Sequence, residues 1–155
     1  MKKVALALLV FVSLNADLLE LVHKGKFFKC DSAISQEFDS YMNSSDGRVS
    51  TDYFSLGGKT FSIMATYGTQ GDGVWQHTVF EKDGSICYAY STTDIVTNKS
   101  CIAYKEENPV WKYISSQGDF TWTKNKGNVD ALLKNLPNGG CSIKFMLSKK
   151  YPADK

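Results

Sequence analysis

The chain contains few of the residues that build several common kinds of site. Arginine occurs once, at Arg48, histidine only at His23 and His77, and proline three times in 155 residues. A nucleic-acid surface usually needs clustered arginine and lysine, so one arginine argues against that function. Two histidines are also too few for a metal site if the four cysteines are oxidised. We expect no metal, no cofactor and no nucleic-acid partner.

Motifs that carry catalysis are missing as well. The sequence has no Cys-x-x-Cys pair for thiol redox chemistry and no Gly-x-Ser-x-Gly turn for a serine hydrolase. Glu106 and Glu107 are adjacent, which on a strand turns them to opposite faces and prevents them from acting as paired carboxylates. The glycine-rich segment 68–73 lacks the Gly-Lys-Ser/Thr ending of a phosphate loop, and we interpret it as a mobile connection. We therefore expect a protein without catalytic residues.

The start of the chain has the composition of a secretory signal peptide. Two lysines are followed by an apolar run at residues 4–12, and Ala16 offers a small side chain for cleavage. The run is shorter than the ~20 residues of a membrane-spanning helix. We expect residues 1–16 to be a bacterial signal peptide and residues 17–155 to be a single exported domain, periplasmic or secreted. The same two lysines account for the excess of 18 basic over 16 acidic residues.

The four cysteines, Cys30, Cys87, Cys101 and Cys141, are an even set in a chain that carries an export signal, so we expect two disulfides. Three pairings are possible. The segments around Cys87 and Cys101 are typical of two strands of a hairpin centred on Asp94, and in that register the two sulfurs share a face. This favours a Cys87–Cys101 disulfide and leaves Cys30–Cys141 by exclusion.

Hydrophobic periodicity predicts an α+β fold. It comprises an antiparallel sheet, curled or barrel-like, with short helices near the N- and C-terminal ends. Helices are predicted at residues 18–24, 32–42 and 129–136, and residues 149–155 are predicted to be a polar tail. Strands are predicted at 49–56, 60–67, 74–80, 85–90, 98–104, 120–123 and 141–147. Residues 110–114 fit either one helical turn or a strand.

Aromatic residues are abundant, with three Trp, eight Tyr and nine Phe. Such rings either fill the core or form a face that recognises a carbohydrate or a protein. The candidate binding residues are Tyr88, Tyr90, Trp111, Trp122 and Lys124. If they form a recognition surface, Trp122 and Lys124 should lie on an exposed loop or edge strand with Tyr88 or Tyr90 nearby.

Two sets of segments resemble families of small exported bacterial proteins. Leu18-Leu19, Gly25-Lys26, Cys30, the segment 80–86 (Phe-Glu-Lys-Asp-Gly-Ser-Ile) and the segment 139–145 (Gly-Gly-Cys-Ser-Ile-Lys-Phe) resemble VirK-type proteins along most of the chain. Gly73-Val74-Trp75 with Cys87-Tyr88-Ala89-Tyr90-Ser91 is similar to segments of the invasion-associated locus B family. Neither resemblance implies a catalytic residue.

A third resemblance suggests a mechanism. Ser115-Ser116-Gln117-Gly118 followed by Trp122-Thr123-Lys124 resembles the Ser-Gly and Trp-x-Lys-Gly motifs of periplasmic inhibitors of c-type lysozyme. In those inhibitors a polar loop enters the enzyme cleft that holds two carboxylates. The resemblance implies a protein that blocks a wall-degrading enzyme.

We expect an exported, non-enzymatic binding protein, associated with a host or with the envelope, because an aromatic-rich sheet occurs without a catalytic constellation. The alternative is a periplasmic inhibitor or immunity protein against a lysozyme-like or other wall-degrading enzyme. A small hydrolase is the third candidate.

Overall fold

The computed structural model describes residues 18–53 and 59–155 and contains four helices and eight strands in these ranges. In chain order they are α1 (Leu18–Lys24), α2 (Asp31–Glu37), α3 (Asp39–Met42), β1 (Arg48–Tyr53), β2 (Thr60–Thr69), β3 (Asp72–Asp83), β4 (Ile86–Thr97), α4 (Cys101–Glu107), β5 (Lys112–Gln117), β6 (Phe120–Lys124), β7 (Asp130–Asn135) and β8 (Cys141–Pro152). The predicted signal peptide, residues 1–16, and residues 54–56 of the predicted strand 49–56 lie outside the described residues.

The eight strands form one antiparallel sheet in the order β1-β2-β3-β4-β8-β7-β6-β5. Strands β1 to β4 make one meander and β5 to β8 make a second, and β4 pairs with β8 to join them. Strands β1 and β5 are the two edges, so the sheet is open. The predicted α+β class with an antiparallel sheet and two disulfides is confirmed.

Helices α1 to α3 form where the apolar spacing predicted helix. Leu18 and Val22 are four residues apart and both are buried, as are Ile34 and Phe38. Phe38 separates α2 from α3, with φ −110° and ψ 17°. These helices pack their apolar stripe on the alternate residues of β2, β3 and β4 that face them, and together they form the larger core. That core includes Phe27, Phe38, Phe61, Ile63, Phe80 and Ala89.

The C-terminal tail holds the beginning of α2. Asp154 accepts hydrogen bonds from the Ser32 backbone N–H, at 3.1 Å, and from the Ser32 hydroxyl. The Asp154 N–H donates to the Lys29 carbonyl at 2.9 Å, and the Ala153 N–H donates to the Ser85 carbonyl at 2.8 Å. The predicted polar tail at 149–155 is therefore wrong, because β8 continues to Pro152 and the residues after it bind α2.

A second, smaller core lies on the same side of the sheet, under α4. Its buried members are Cys101, Ala131, Leu133, Cys141 and Ile143. The predicted strand at 98–104 is wrong: the Ser100 hydroxyl accepts the Ala103 N–H at 3.2 Å, which caps a helix beginning at Cys101. Residues 112–117 adopt the strand alternative, as β5.

The predicted helix at 129–136 is also wrong, and no described helix lies near the C-terminal end. Residues 130–135 form β7, with Ala131 and Leu133 buried and Leu132 turned to the opposite face. A tight hairpin turn follows, in which Gly139 has φ +84°. At Gly140 a Cβ would lie 2.4 Å from the Thr97 carbonyl oxygen, so glycine lets this turn approach β4. Pairing with β8 outweighs the helix propensity of Ala and Leu.

The segment 68–73 is not a loose connection. Gly68 pairs with Gly73 and Thr69 with Asp72, so β2 and β3 join through the two residues Gln70 and Gly71. Gly71 has φ +88°, which a tight hairpin turn requires.

The disulfide pairing differs from the predicted one. The bonds are Cys30–Cys87 and Cys101–Cys141. The predicted hairpin centred on Asp94 does not form, because β4 continues straight to Thr97 and the chain then enters α4. Each disulfide joins the start of a helix to a strand: Cys30 precedes α2 and reaches β4, and Cys101 begins α4 and reaches β8.

We predict that non-reducing proteolysis will recover a Cys30 peptide linked to a Cys87 peptide, and a Cys101 peptide linked to a Cys141 peptide. The loops span 57 and 40 residues, for which loop entropy gives about 4 kcal/mol each. Replacing either pair by serine should therefore lower the unfolding free energy by a similar amount in urea titrations. A Cys87–Cys101 peptide would contradict this structure.

Candidate functional site

All four helices lie on one side of the sheet, and the other side, here named the open face, is not covered by any described element. It consists of the side chains of β2 to β4 and β6 to β8 that alternate with core residues. In β3, for example, Gln76, Thr78 and Phe80 are buried under the helices. Trp75 and His77 point the other way.

The open face carries several large apolar side chains that are exposed. Seven of the thirteen exposed large hydrophobic residues in the described ranges lie on it. They are Met64, Ile86, Tyr90, Val96, Phe120, Trp122 and Met146. Met146 is 73 % exposed and Trp122 is 40 % exposed. Exposed aromatic and methionine side chains are the residue types that protein interfaces favour.

One row of directly opposed residues crosses this face over five strands. It runs from Trp75 on β3 through Asp94, Lys144 and Leu132 to Trp122 on β6. Four strand spacings of about 4.8 Å place the backbones of the two tryptophans about 19 Å apart. A sheet face with an aromatic side chain at each end of such a row suits a broad contact with another macromolecule.

The charges within this row are paired with each other. The Lys144 ammonium lies 3.3 Å from an Asp94 carboxylate oxygen, and the other Asp94 oxygen accepts the Ser142 hydroxyl at 2.8 Å. Lys124 and Asp130 form a second cross-strand pair at 3.3 Å. These exposed pairs contribute less than about 1 kcal/mol to stability, so their effect is to fix charge positions on the surface.

A groove of about 450 Å³ opens beside Trp122 where β7 begins. The lining residues are Trp122, Asn128, Val129, Asp130, Leu132, Lys144, Phe145, Met146, Leu147 and Ser148. The turn before β7 forms its wall: Asn128 has φ +64°, and the Val129 N–H donates to the Asn125 side chain at 3.0 Å. An apolar ring, a methionine and a lysine therefore meet at one concave site.

Four of the five sequence-predicted binding residues lie on the open face. Tyr88 and Tyr90 are neighbours on β4, with ring centroids 6.5 Å apart. Trp122 and Lys124 are on β6, which is one strand inside the edge and three strand spacings from β4. The expectation that these two pairs are close together is therefore wrong, since β8 and β7 lie between them.

Trp111 is the fifth predicted residue, and it lies on the helix side. Its ring packs against Phe145 with centroids 5.9 Å apart, at the rim of the smaller core. The structure thus removes Trp111 from the candidate surface. Its half-buried environment is typical of a side chain that packs on a core and not of one that binds a partner.

Sequence reasoning missed the centre of the surface. Lys144 and Met146 could have been assigned to it from their alternation with Ile143 and Phe145 along the predicted last strand. Leu132 could not, because its segment was predicted to be a helix and its position opposite Trp122 depends on β7 being a strand.

A second polar cluster surrounds the Glu37 carboxylate, at the end of α2 on the helix side. The Glu37 side chain is only 4 % exposed. It accepts hydrogen bonds from the Tyr151 hydroxyl, from the Lys149 ammonium at 2.9 Å and from the Ser91 hydroxyl at 2.8 Å. The Gln76 side-chain amide donates to the Glu37 carbonyl at 2.8 Å. A carboxylate with this many donors is fully engaged and docks α2 on β4 and β8.

These contacts set the protonation of the cluster. Burial by itself raises the pKa of Glu37, but the hydrogen bonds from Tyr151, Lys149 and Ser91 outweigh it and hold the pKa below its ordinary value of 4.5. Burial and the hydrogen bond to Glu37 both raise the pKa of Tyr151. The cluster is therefore an ionised Glu37 with a protonated tyrosine, which is an arrangement for structure and not for proton transfer.

A serine–histidine contact lies on the open face. The Ser62 hydroxyl and His77 Nε2 are 2.7 Å apart, the distance of a nucleophile and its base in a hydrolase. Ser62, however, lies inside β2, where the backbone groups pair with β1 and β3. Those N–H groups are not free to stabilise an oxyanion. The contact has the geometry of a structural cross-strand hydrogen bond.

Within the described ranges, no three His, Cys, Asp or Glu side chains converge as metal ligands would. None of the described helices has the length and hydrophobicity that crossing a membrane requires. Comparison of the chain with protein-family models, curated proteins and solved structures finds no match. The three family resemblances therefore stay predictions.

We predict that Glu37→Gln will lower stability at neutral pH by about 2 kcal/mol, because it weakens charge-assisted bonds to buried partners. Since folding lowers the pKa of Glu37, its contribution is complete above pH 4.5 and decreases as the pH falls through the lower folded pKa. The difference between wild type and Glu37→Gln should therefore shrink below that value. Urea midpoints measured from about pH 3 to 7 test this.

Glu106→Gln, at an exposed position on α4, is the matched control and should leave both the stability and its pH profile unchanged. A constant difference between wild type and Glu37→Gln across the acid range would contradict the assignment.

Proposed function

We propose that this protein is an exported, non-enzymatic binding protein that recognises a protein partner through the open face of its sheet. The observation that carries the proposal is the row from Trp75 to Trp122, with Met146 beside it at 73 % exposure. Trp, Tyr, Phe and Met are the residue types enriched at the centres of protein interfaces. Paired surface charges in the same row give such a contact orientation and specificity.

The surrounding structure supports binding over catalysis. The Glu37 carboxylate is engaged by three side-chain donors, and Ser62 lies in a strand whose backbone donors are already paired. In contrast, the open face exposes the large apolar side chains of Met146 and Trp122, at 73 % and 40 %.

Export is supported by the cysteines. Both disulfides join a helix to the sheet, and such structural disulfides persist in oxidising compartments, including the periplasm and the extracellular space. The charge pattern at the start of the chain points the same way.

We predict that Trp122→Ala will weaken binding of the partner by about 2 kcal/mol or more, because a half-exposed tryptophan that a partner buries is a typical hot spot. Ile102→Ala on α4 is the matched control, since Ile102 is 69 % exposed and lies away from the open face. Wild type and both variants serve as baits, with quantitative mass spectrometry of captured proteins and titration of the recovered candidate.

A protein bound by wild type and Ile102→Ala but lost with Trp122→Ala supports the proposal. Equal capture by all three baits contradicts it. Melting temperatures of the three proteins are measured in parallel, because a fall of many degrees for Trp122→Ala would instead mark the ring as part of the core.

Inhibition of a wall-degrading enzyme is the second candidate, and the exposure of one hairpin favours it. Every residue of β5 is exposed, and the turn at Gly118 extends the polar sequence Ser115-Ser116-Gln117 away from the core. This is the segment that resembles the lysozyme-inhibitor motif.

If the hairpin enters an enzyme cleft, the purified protein should inhibit c-type lysozyme in a turbidity assay with suspended cell walls. Replacing Ser116 and Gln117 by alanine should abolish the inhibition, whereas Ser45→Ala in another exposed turn should not. Unchanged lysozyme activity at an excess of the protein would remove this candidate for that enzyme.

A further inference from the structure

The second half of β8 has a neighbouring strand on one side only. Strand β4 pairs with β8 along its whole length, from Cys141 to Pro152. Strand β7 pairs with it only from Cys141 to Phe145. Beyond Met146, no described strand lies on the β7 side of β8. A free edge therefore exists near the middle of the sheet, where β7 stops short.

Backbone hydrogen bonds at the two ends of β8 show which of its N–H and C=O groups point to the side without a neighbouring strand. In the β7–β8 hairpin the Leu136 N–H donates to the Gly140 carbonyl, so even-numbered residues of β8 point their N–H and C=O toward β7. The Ala153 N–H bonds the Ser85 carbonyl, which agrees in placing odd-numbered residues toward β4. The N–H and C=O groups of Ser148 and Lys150 therefore point to the free edge.

Both sides of this edge are concave. On the open face, the groove against Trp122 and Leu132 reaches Ser148. On the helix side, a second cavity of about 470 Å³ is lined by Lys149, Tyr151 and residues of α2 and α3. A strand laid along the edge would turn alternate side chains into these two spaces.

The charges at this edge indicate which kind of strand binds there. Lys150 lies 5.5 Å from the centre of the Tyr88 ring, and no described carboxylate lies within ion-pair distance of its ammonium. A second copy of this chain would bring its own Lys149 and Lys150 against these lysines, which is unfavourable. An acidic strand is the complement.

We propose that the β8 edge at Ser148–Lys150 binds an extended acidic segment of a partner protein by strand addition. The segment runs antiparallel to β8, with an acidic residue opposite Lys150. Two residues later, a large apolar residue lies opposite Ser148 and enters the groove against Trp122. This inference rests on the proposed function and names the partner segment for the same surface.

A phage-displayed library of random peptides, selected on the purified protein, tests it. We expect enrichment of an acidic residue followed two positions later by a large apolar one. Ser148→Pro should abolish binding of the selected peptides at unchanged melting temperature, because proline removes only the N–H that points away from β4.

Lys150→Glu should weaken the same peptides about tenfold, and exchanging their acidic residue for lysine should restore the affinity. Lys105→Glu is the matched control, since Lys105 lies on α4, on the helix side of the sheet, over the Tyr113 ring and away from this edge. Its peptide affinity should equal that of wild type.

Selection of no binding peptide, or equal binding to Ser148→Pro, overturns strand addition. If Trp122→Ala still loses the captured partner in that case, the proposed function stands and the partner uses the open face without adding a strand. If neither the peptides nor the partner depend on these residues, both proposals fail.

Discussion

Strands β4 and β8 pair over twelve residues each, from Ile86 opposite Pro152 to Thr97 opposite Cys141. Among the described strands, this pairing is the one place where the two halves of the sheet meet. Both hydrophobic cores depend on this β4–β8 pairing. The larger core rests on β2 to β4, the smaller on β7 and β8, and the Glu37 cluster draws its donors from both β4 and β8. The open face depends on it as well, since its central row crosses this pair between Asp94 and Lys144.

Local signals carried the prediction of the first meander. Apolar spacing predicted helices at 18–24 and 32–42, where α1 to α3 form, and the strands predicted at 74–80 and 85–90 form the β3–β4 hairpin, with Asp83 opposite Ile86. In these segments propensity, turn chemistry and tertiary structure agree. The tight turn at residues 70–71 and the continuation of β4 past Asp94 were not predicted.

The second meander shows where local signals fail. Ala131, Leu132 and Leu133 favour a helix by propensity, and only their pairing with β8 makes them a strand. Cys101 is followed by Ile102, Ala103 and Tyr104, which suit a strand, but the Ser100 cap begins a helix there. Together with the continuation of β4 past Asp94, this helix changes the disulfide pairing, because the predicted hairpin needed a turn at Asp94 and Cys101 on a strand. The candidate site was missed because of the first of these errors, since Leu132 and the groove take their positions only when β7 pairs with β8.

The position of β8 has a consequence for the order in which the molecule can form. This strand is last in the sequence and central in the sheet, so during synthesis the meander of β1 to β4 and the hairpins of β5 to β7 remain two separate pieces. Their union needs contacts between residues that are far apart in the chain, which slows folding. The two pieces can join into the native sheet only after Pro152 has left the ribosome, because the β4–β8 pairing extends to that residue.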